Sequence, residues 1–254
     1  MNNDLRKFLR KYPLLHLAGR KIYRFIINSP EPFLQARIQE TFKNYPEVFF
    51  IQVGSNDGIT GDPIHNLIVE NKNYSGIFIE PVDFCFKRLQ ENYKNVYNSK
   101  NRLIFENLAI GLTADRKKFY YLPEDARQKS FSELPNTYDQ LGSFNINHII
   151  KHLGEQIIPY IVETEVDCCP LQAVLDKHNV GRIDLVHIDV EGFDFQVLSQ
   201  IDLEKYKPKL ILYEHTHLTE SEKEQADSWL GRYDYSVYKY RGDTLAIFNK
   251  SSAN

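Results

Sequence analysis

The sequence predicts an α/β fold, in which a mostly parallel sheet of seven strands is covered by helices on both faces. The first observation is a set of apolar, β-branched runs at 48–53, 75–79 and 183–188. Runs without polar alternation are typical of parallel strands, which are buried on both faces. The second is that each run ends at a glycine or an acid, and the third is a closing hairpin pattern near the carboxyl terminus. Helical segments between the runs favour a doubly wound sheet.

The first run leads into the glycine turn Gly54-Ser55-Asn56-Asp57-Gly58. Glycines supply unusual backbone dihedrals and allow a ligand to approach the backbone closely. Asp62 as N-cap and Pro63 at the first helical position predict that a helix follows, over 63–71. Strand, glycine turn and helix form the nucleotide-binding arrangement of open α/β sheets, although the G-x-x-x-G spacing lacks the dinucleotide fingerprint.

The second run ends at Glu80, about 20 residues beyond the turn, where such folds place a carboxylate on ribose hydroxyls. A helix over 82–92 and a third strand over 103–110 complete the first half of the sheet. The second half is predicted as helix 170–178, strand 183–189, helix 193–200, strand 209–214, a helix from Thr219 to Leu230 with a Thr219/Glu222 capping box, and the hairpin 235–248.

Residues 112–165 interrupt this pattern. An edge strand at 119–122 and a short helix at 146–153 are predicted within an otherwise polar, turn-rich segment. An insert of this length in a compact domain is usually functional or mobile. We expect a substrate-side lid in which acids, tyrosines, His148 and His152 contact polar substrate groups; a disordered surface loop is the alternative.

The first 28 residues carry seven lysines and arginines among leucine, isoleucine and phenylalanine, with Asp4 as the single acid. This amphipathic stretch, broken at Pro13, predicts either a peripheral helix on anionic lipid or a helix that caps the domain with its basic face in water. It lacks the apolar core and cleavage site of a secretory signal. The predicted division is an extension at 1–45 and a catalytic domain at 46–250.

The overall charge and the cysteines exclude several classes of protein. A net charge of −3 argues against a broad nucleic-acid-binding surface. Cys85 and the adjacent pair Cys168 and Cys169 are no disulfide framework and lack zinc-site spacing. The sequence contains no apolar run of roughly 20 residues that would span a membrane. These features predict a cytoplasmic protein, at the inner face of the membrane if residues 1–28 bind lipid.

Five motifs together resemble the FkbM-type family of S-adenosylmethionine-dependent methyltransferases. They are Val53-Gly54-Ser55-Asn56-Asp57-Gly58, Glu80-Pro81, Asn107-Leu108-Ala109-Ile110-Gly111, Ile188-Asp189-Val190-Glu191-Gly192-Phe193-Asp194 and Pro208-Lys209-Leu210-Ile211-Leu212-Tyr213-Glu214. The resemblance runs from about 48 to 214 and is poor over 112–165. It implies a class I methyltransferase fold, a Rossmann-like three-layer sandwich. It also implies methyl transfer, often to a sugar hydroxyl of a glycan or to a small-molecule natural product.

The resemblance implies a set of residues around S-adenosylmethionine. Glu80 would accept both ribose hydroxyls, and Asp189 would hold the cofactor ammonium, orient the substrate or bind metal. The full cofactor set is Gly54, Ser55, Asn56, Asp57, Gly58, Glu80, Pro81, Asn107, Ala109 and Asp189.

Methyl transfer to a hydroxyl needs a base, or a metal ion that lowers the pKa of the hydroxyl. The acids and histidines at two neighbouring strand ends are the candidates, because both ends should meet at one rim of the sheet. We expect His215 or His217 to be the base, with Asp189 and Glu191 near the hydroxyl; His187 and Glu214 are the other candidates.

Two alternatives remain open from the sequence. Asp189, Glu191, Glu214 and His215 could hold magnesium or manganese, but carboxylates that bind cofactor and backbone without metal are favoured. The chain could also be a nucleotide-linked Rossmann oxidoreductase, or a peripheral membrane-binding module without catalysis. The missing third glycine and the terminal hairpin argue against the oxidoreductase.

Overall fold

A computed structural model describes residues 32–96, 103–129 and 134–249. The predictions for residues 1–28 lie outside this part of the chain. Among the described residues, no helix is long and apolar enough to cross a membrane.

The described residues form a seven-stranded sheet. In chain order its strands are β1 Phe49–Val53, β2 Ser75–Ile79, β3 Leu103–Glu106, β7 Leu185–Ile188, β8 Leu210–Glu214, β9 Tyr235–Tyr240 and β10 Asp243–Phe248. The strands β1, β2, β3, β7 and β8 pair in parallel, and β10 pairs antiparallel with β8 and β9. This confirms the predicted mostly parallel sheet with its carboxyl-terminal hairpin. Across the sheet, the strands lie in the order β3-β2-β1-β7-β8-β10-β9.

Helices cover both faces of the sheet, because successive strand residues point to opposite faces and both sets are apolar. On one face, Phe50 packs in a cluster with residues of three helices, α1 Pro32–Phe42, α2 His65–Glu70 and α3 Asp83–Tyr93. On the other face, Ile51 packs with residues of α6 Leu171–Lys177, α7 Asp194–Leu198 and α8 Glu220–Arg232. The predicted three-layer sandwich is thereby confirmed.

Two predicted helix starts have different outcomes. The capping box of α8 is present: Thr219 Oγ1 accepts from the Glu222 backbone amide, and the Glu222 carboxylate accepts from the Thr219 amide. The predicted cap at Asp62 is wrong. Helix α2 begins at His65, and Asp62 Oδ1 instead accepts from the Ile64 amide, which forms a turn ahead of the helix.

The segment 112–165 contributes most of a second sheet, which consists of β4 Ala109–Ile110, β5 Asp115–Tyr121 and β6 Val162–Cys169. Across this sheet the strands lie in the order β4-β6-β5. The predicted third strand is therefore split: β3 ends at Glu106, and β4 Ala109–Ile110 turns away to join β6 Val162–Cys169. Strand β6 was not predicted, because glutamates and an aspartate on its exposed face mask the apolar pattern. The predicted edge strand at 119–122 overlaps the end of β5 Asp115–Tyr121, and the predicted helix is α5 Ile146–Leu153, as expected.

The described part of this insert is ordered around its own small core. The short helix α4 Ala126–Lys129 and the 3₁₀ turns Tyr138–Gln140 and Glu155–Tyr160 connect its longer elements. The buried residues of that core are Leu122, Ala126, Leu134, Tyr138, Ile149 and Ile157. The insert is thereby a packed unit beside the carboxyl ends of the strands.

Candidate functional site

A cleft opens at the carboxyl ends of β1, β2 and β7, under the insert. The volume of the cleft is about 920 Å³ when the solvent-filled space at its mouth is included. Its walls bring together residues from all of these strand ends and from the insert: Gly54, Ser55, Asn56, Glu80, Pro81, Ala109, Phe119, Asp139, Phe144, Asp189, Glu191 and Phe193. Open α/β sheets bind their ligands in this position.

Gly54 is the point of closest backbone approach in the cleft. Its φ is +79°, and a Cβ atom there would lie 1.7 Å from the carbonyl oxygen of Asp189. A side chain is therefore excluded both by the backbone conformation and by the neighbouring strand. The Gly54 and Ser55 amides both donate to the carbonyl of Ile79, at 3.0 and 3.1 Å, which ties the turn to the end of β2.

The polar residues of the glycine turn mostly shape the turn itself. Ser55 Oγ donates to the Gln52 carbonyl and accepts from the Ile79 amide. The Asp57 carboxylate accepts from the Ile59 and Thr60 amides. Of the five residues of the turn, Gly54, Ser55 and Asn56 line the cleft, while Asp57 and Gly58 lie outside its walls.

Glu80 lies buried at the end of β2 and holds two backbone groups. Its Oε2 accepts from the Asn56 amide and its Oε1 accepts from the Val82 amide, both at 2.8 Å. Burial raises the pKa of this carboxyl to about 7. A carboxylate has about four acceptor positions. Two are therefore left for hydroxyl groups in the cleft.

Three members of the predicted cofactor set, Pro81, Asn107 and Ala109, do not all reach the cleft. Pro81 and Ala109 line the cleft next to Leu108 and Ile110. Asn107 is exposed and lies outside the cleft walls; its Nδ2 donates to the carbonyls of Glu80 and Pro81, at 2.9 and 3.3 Å. Its side chain thus supports the turn after β2.

The turn after β7 presents Asp189 and Glu191 to the cleft. Glu191 has a φ of +54° and Gly192 a φ of +99°. Asp194, which is fully buried, stabilises this strained turn by accepting from the Val190 and Gly192 amides, at 3.3 and 3.1 Å. Asp194 had no assigned role in the sequence analysis, although it stands within the matched motif.

Carboxyl groups crowd this rim of the cleft. Asp189 is exposed at the cleft opening, and desolvation by the protein around its carboxyl together with the nearby Glu191 and Glu214 raises its pKa. Burial, together with Glu191 and Asp194, raises the pKa of Glu214 to about 9. The rim is therefore suited to hold protons or to bind groups that are cationic or donate hydrogen bonds.

The two histidines predicted as bases have different surroundings. His215 Nδ1 lies 2.9 Å from Thr244 Oγ1, and its amide donates to the Gly242 carbonyl, so it joins β8 to the hairpin outside the cleft walls. His217 Nε2 lies 3.4 Å from Glu191 Oε2 and 3.5 Å from Glu214 Oε1. His217 therefore stands behind the acidic rim, and burial lowers its pKa.

A polar group at the floor of the cleft consists of Gln52, His187 and Asp62. Gln52 Nε2 lies 3.0 Å from His187 Nδ1, and Asp62 Oδ1 lies 4.0 Å from the same nitrogen. Burial lowers the pKa of His187 to about 4 and raises that of Asp62 to about 7. His187 is thus neutral near pH 7. Gln52 was not predicted as a site residue, because it lies inside an apolar run of the sequence.

Several solved structures similar to this chain are methyltransferases with low sequence identity to it. An FkbM methyltransferase from Methylobacillus flagellatus KT is 15% identical, with a TM-score of 0.47 over 80% of this chain and 44% of its own. A putative caffeoyl-CoA O-methyltransferase from Staphylococcus aureus is 10% identical, with a TM-score of 0.45 over 95% of this chain and 100% of its own. This chain therefore spans less than half the length of the M. flagellatus protein. A search of curated proteins finds no relative.

The family model for the FkbM methyltransferase domain matches residues 52–237. The match includes the glycine turn, Glu80, the turn after β7 and the end of β8, and the predicted resemblance is confirmed. The chain belongs to the FkbM methyltransferase family.

Proposed function

We propose that this chain is an S-adenosylmethionine-dependent methyltransferase that acts on a hydroxyl group of a sugar or glycan-type acceptor. The observation that carries the proposal is that Asp189 and Glu191 line the same cleft as Gly54 and Glu80. Carboxyl groups that accept hydrogen bonds from an acceptor hydroxyl thus stand beside the predicted cofactor position. Bound S-adenosylmethionine would supply a methyl group on a sulfonium, ready for in-line displacement.

The cleft residues fit the cofactor. The two acceptor positions left on Glu80 match a pair of vicinal ribose hydroxyls. The absent Cβ at Gly54 keeps the space over the end of β1 open. Apolar side chains of Leu108, Ala109 and Ile110 offer a surface for a flat base on the β4 side.

The acidic rim disfavours acceptors that carry a negative charge. Asp189 and Glu191 would repel an acceptor that carries a carboxylate or phosphate at the reacting position. Phe144 and Phe193 lie edge to face in the adjoining wall, with ring centroids 5.6 Å apart. They offer an apolar surface to one side of an acceptor ring, while its hydroxyls contact the carboxyl groups.

Within the proposal, Asp189 accepts the proton of the hydroxyl. It is exposed to the cleft, and in its ionised form its carboxylate can accept the hydroxyl proton, while the nearby Glu191 and Glu214 raise its affinity for that proton. Glu191 orients the hydroxyl, and His217 holds Glu191 from behind. We therefore favour Asp189 over His215 and His217 as the base, because neither histidine lines the cleft.

The test is to incubate the full chain with S-adenosylmethionine and three acceptor classes: glycosides, primary amines and carboxylic acids. Formation of S-adenosylhomocysteine and of a singly methylated product would be measured by mass spectrometry. We expect methylation of glycosides, lost in Asp189→Asn and retained in Asp167→Asn, which alters an exposed acid on β6. Methylation confined to amines or carboxylic acids would overturn the proposal.

A further inference from the structure

We propose that His148, His152, His217 and Glu191 form a binding site for a divalent transition-metal ion. One ligand atom from each of the three histidines lies within 4.8 Å of the others, and Glu191, Glu214 and His217 form a second such group. The inference goes beyond the methyl-transfer proposal and does not depend on the identity of the acceptor. It also differs from the magnesium set considered above, since Asp189 and His215 take no part.

The distances from His217 Nε2 to the neighbouring carboxylates are those between two ligands of one ion. His217 Nε2 is 3.4 Å from Glu191 Oε2 and 3.5 Å from Glu214 Oε1. Two ligands at 2.0–2.1 Å from a tetrahedral ion are separated by about 3.3–3.4 Å. His148 Nε2 lies closer to Glu191 Oε2, at 2.7 Å, and would move outward by several tenths of an ångström when an ion enters.

Several buried polar atoms at this place have no hydrogen bond within the described residues. They are His148 Nε2, Glu191 Oε2 and Glu214 Oε2. His148 is only 9% exposed, and its short contact with Glu191 is not aligned as a hydrogen bond. Buried polar atoms are rarely left unpaired, because each costs about 1–3 kcal/mol. An ion between these atoms would satisfy them together.

His152 has the tautomer of a metal ligand. Its Nδ1 lies 2.9 Å from the backbone carbonyl of His148, which can only accept, so Nδ1 carries the proton. The lone pair is then on Nε2. Metal-binding histidines are commonly oriented by such a bond from the other ring nitrogen. His148 and His152 are one helical turn apart on α5, and the exposure of His152 leaves a path for entry.

The ligand types select the ion. Imidazole nitrogens suit zinc, cobalt, nickel and iron, whereas magnesium and calcium prefer sets made only of oxygen. Three histidines and one carboxylate therefore favour zinc or a similar ion. Such an ion would join the insert helix α5 to the turn after β7 and fix Glu191 at the edge of the cleft.

The test uses the full chain, stripped with a chelator and titrated with Zn²⁺ by calorimetry, and with Co²⁺ by visible absorption. We expect one ion per chain and tetrahedral Co²⁺ bands. His152→Ala, at an exposed position, should weaken Zn²⁺ binding by at least about 100-fold. The matched control is His178→Ala, because His178 pairs with Glu106 outside this cluster and should leave Zn²⁺ affinity unchanged.

The affinity for S-adenosylhomocysteine, measured on the same samples, separates this site from the methyltransferase proposal. Intact cofactor affinity without stoichiometric Zn²⁺ binding would overturn the metal site alone. Equal Zn²⁺ affinity in the wild type, His152→Ala and Glu191→Gln would also overturn it, since the ion would then bind elsewhere.

Discussion

Replacement of Glu80 by alanine tests the cofactor site most directly. The substitution removes the carboxylate that we expect to receive both ribose hydroxyls. It also leaves the amides of Asn56 and Val82 without their acceptor. The variant should therefore lose both cofactor affinity and stability, and the two losses can be measured separately.

The expected magnitudes follow from these contacts. Hydrogen bonds to a charged group contribute about 1.5–3 kcal/mol. The Kd for S-adenosylhomocysteine should therefore rise by about 10- to 150-fold, at about 1.4 kcal/mol for each factor of ten. Each unpaired amide should lower the free energy of unfolding by about 1–3 kcal/mol if water does not replace the carboxylate.

The assay is isothermal titration calorimetry with S-adenosylhomocysteine, with urea unfolding of the same variants. Glu106→Ala is the matched control, since Glu106 is a buried acid at the end of β3, paired with Lys177 and His178 outside the cleft. It should lower stability and leave the Kd unchanged. A folded Glu80→Ala variant with wild-type Kd, or an equal loss of affinity in Glu106→Ala, would refute the assignment.

Further predictions concern pH, the glycine turn and the two candidate bases. Because burial raises the pKa of Glu80 to about 7, the fraction of Glu80 in the charged, hydrogen-bond-accepting form increases as pH rises. Calorimetry between about pH 6 and pH 8 should show affinity for S-adenosylhomocysteine increasing with pH, and a flatter profile in Glu80→Gln. Gly54→Ala should lower the free energy of unfolding by more than the roughly 1–2 kcal/mol of a left-handed residue, because its Cβ meets backbone. Gly181→Ala, with nothing within 4 Å of the added Cβ, should leave the urea midpoint nearly unchanged, and equal midpoints for both variants would contradict the close approach. Asp189→Asn should lower kcat by about 10²–10⁴-fold. His215→Ala should lower stability by about 0.5–1.5 kcal/mol without lowering kcat; the reverse pattern in steady-state assays would return the base to His215.

Much of the fold was predictable because parallel strands must be apolar on both faces. Runs such as Phe49–Val53 and Leu185–Ile188 are mostly apolar on both faces, and a central strand of a covered sheet buries both faces. The predicted fold failed locally where exposed charges interrupt a strand, as in β6, and where a turn residue imitates a helix cap, as at Asp62.

The sequence by itself determined which chemical groups end the strands: a glycine turn after β1, an acid after β2 and acids after β7. These are local properties, since they depend on side-chain type and on the point where an apolar run stops. Only the tertiary structure decided that His217 contacts Glu191 whereas His215 bonds to Thr244, because period-two alternation stops where β8 ends. The meeting of His148 with Glu191 was likewise settled by long-range packing of the insert against the strand ends, which no spacing along the chain encodes.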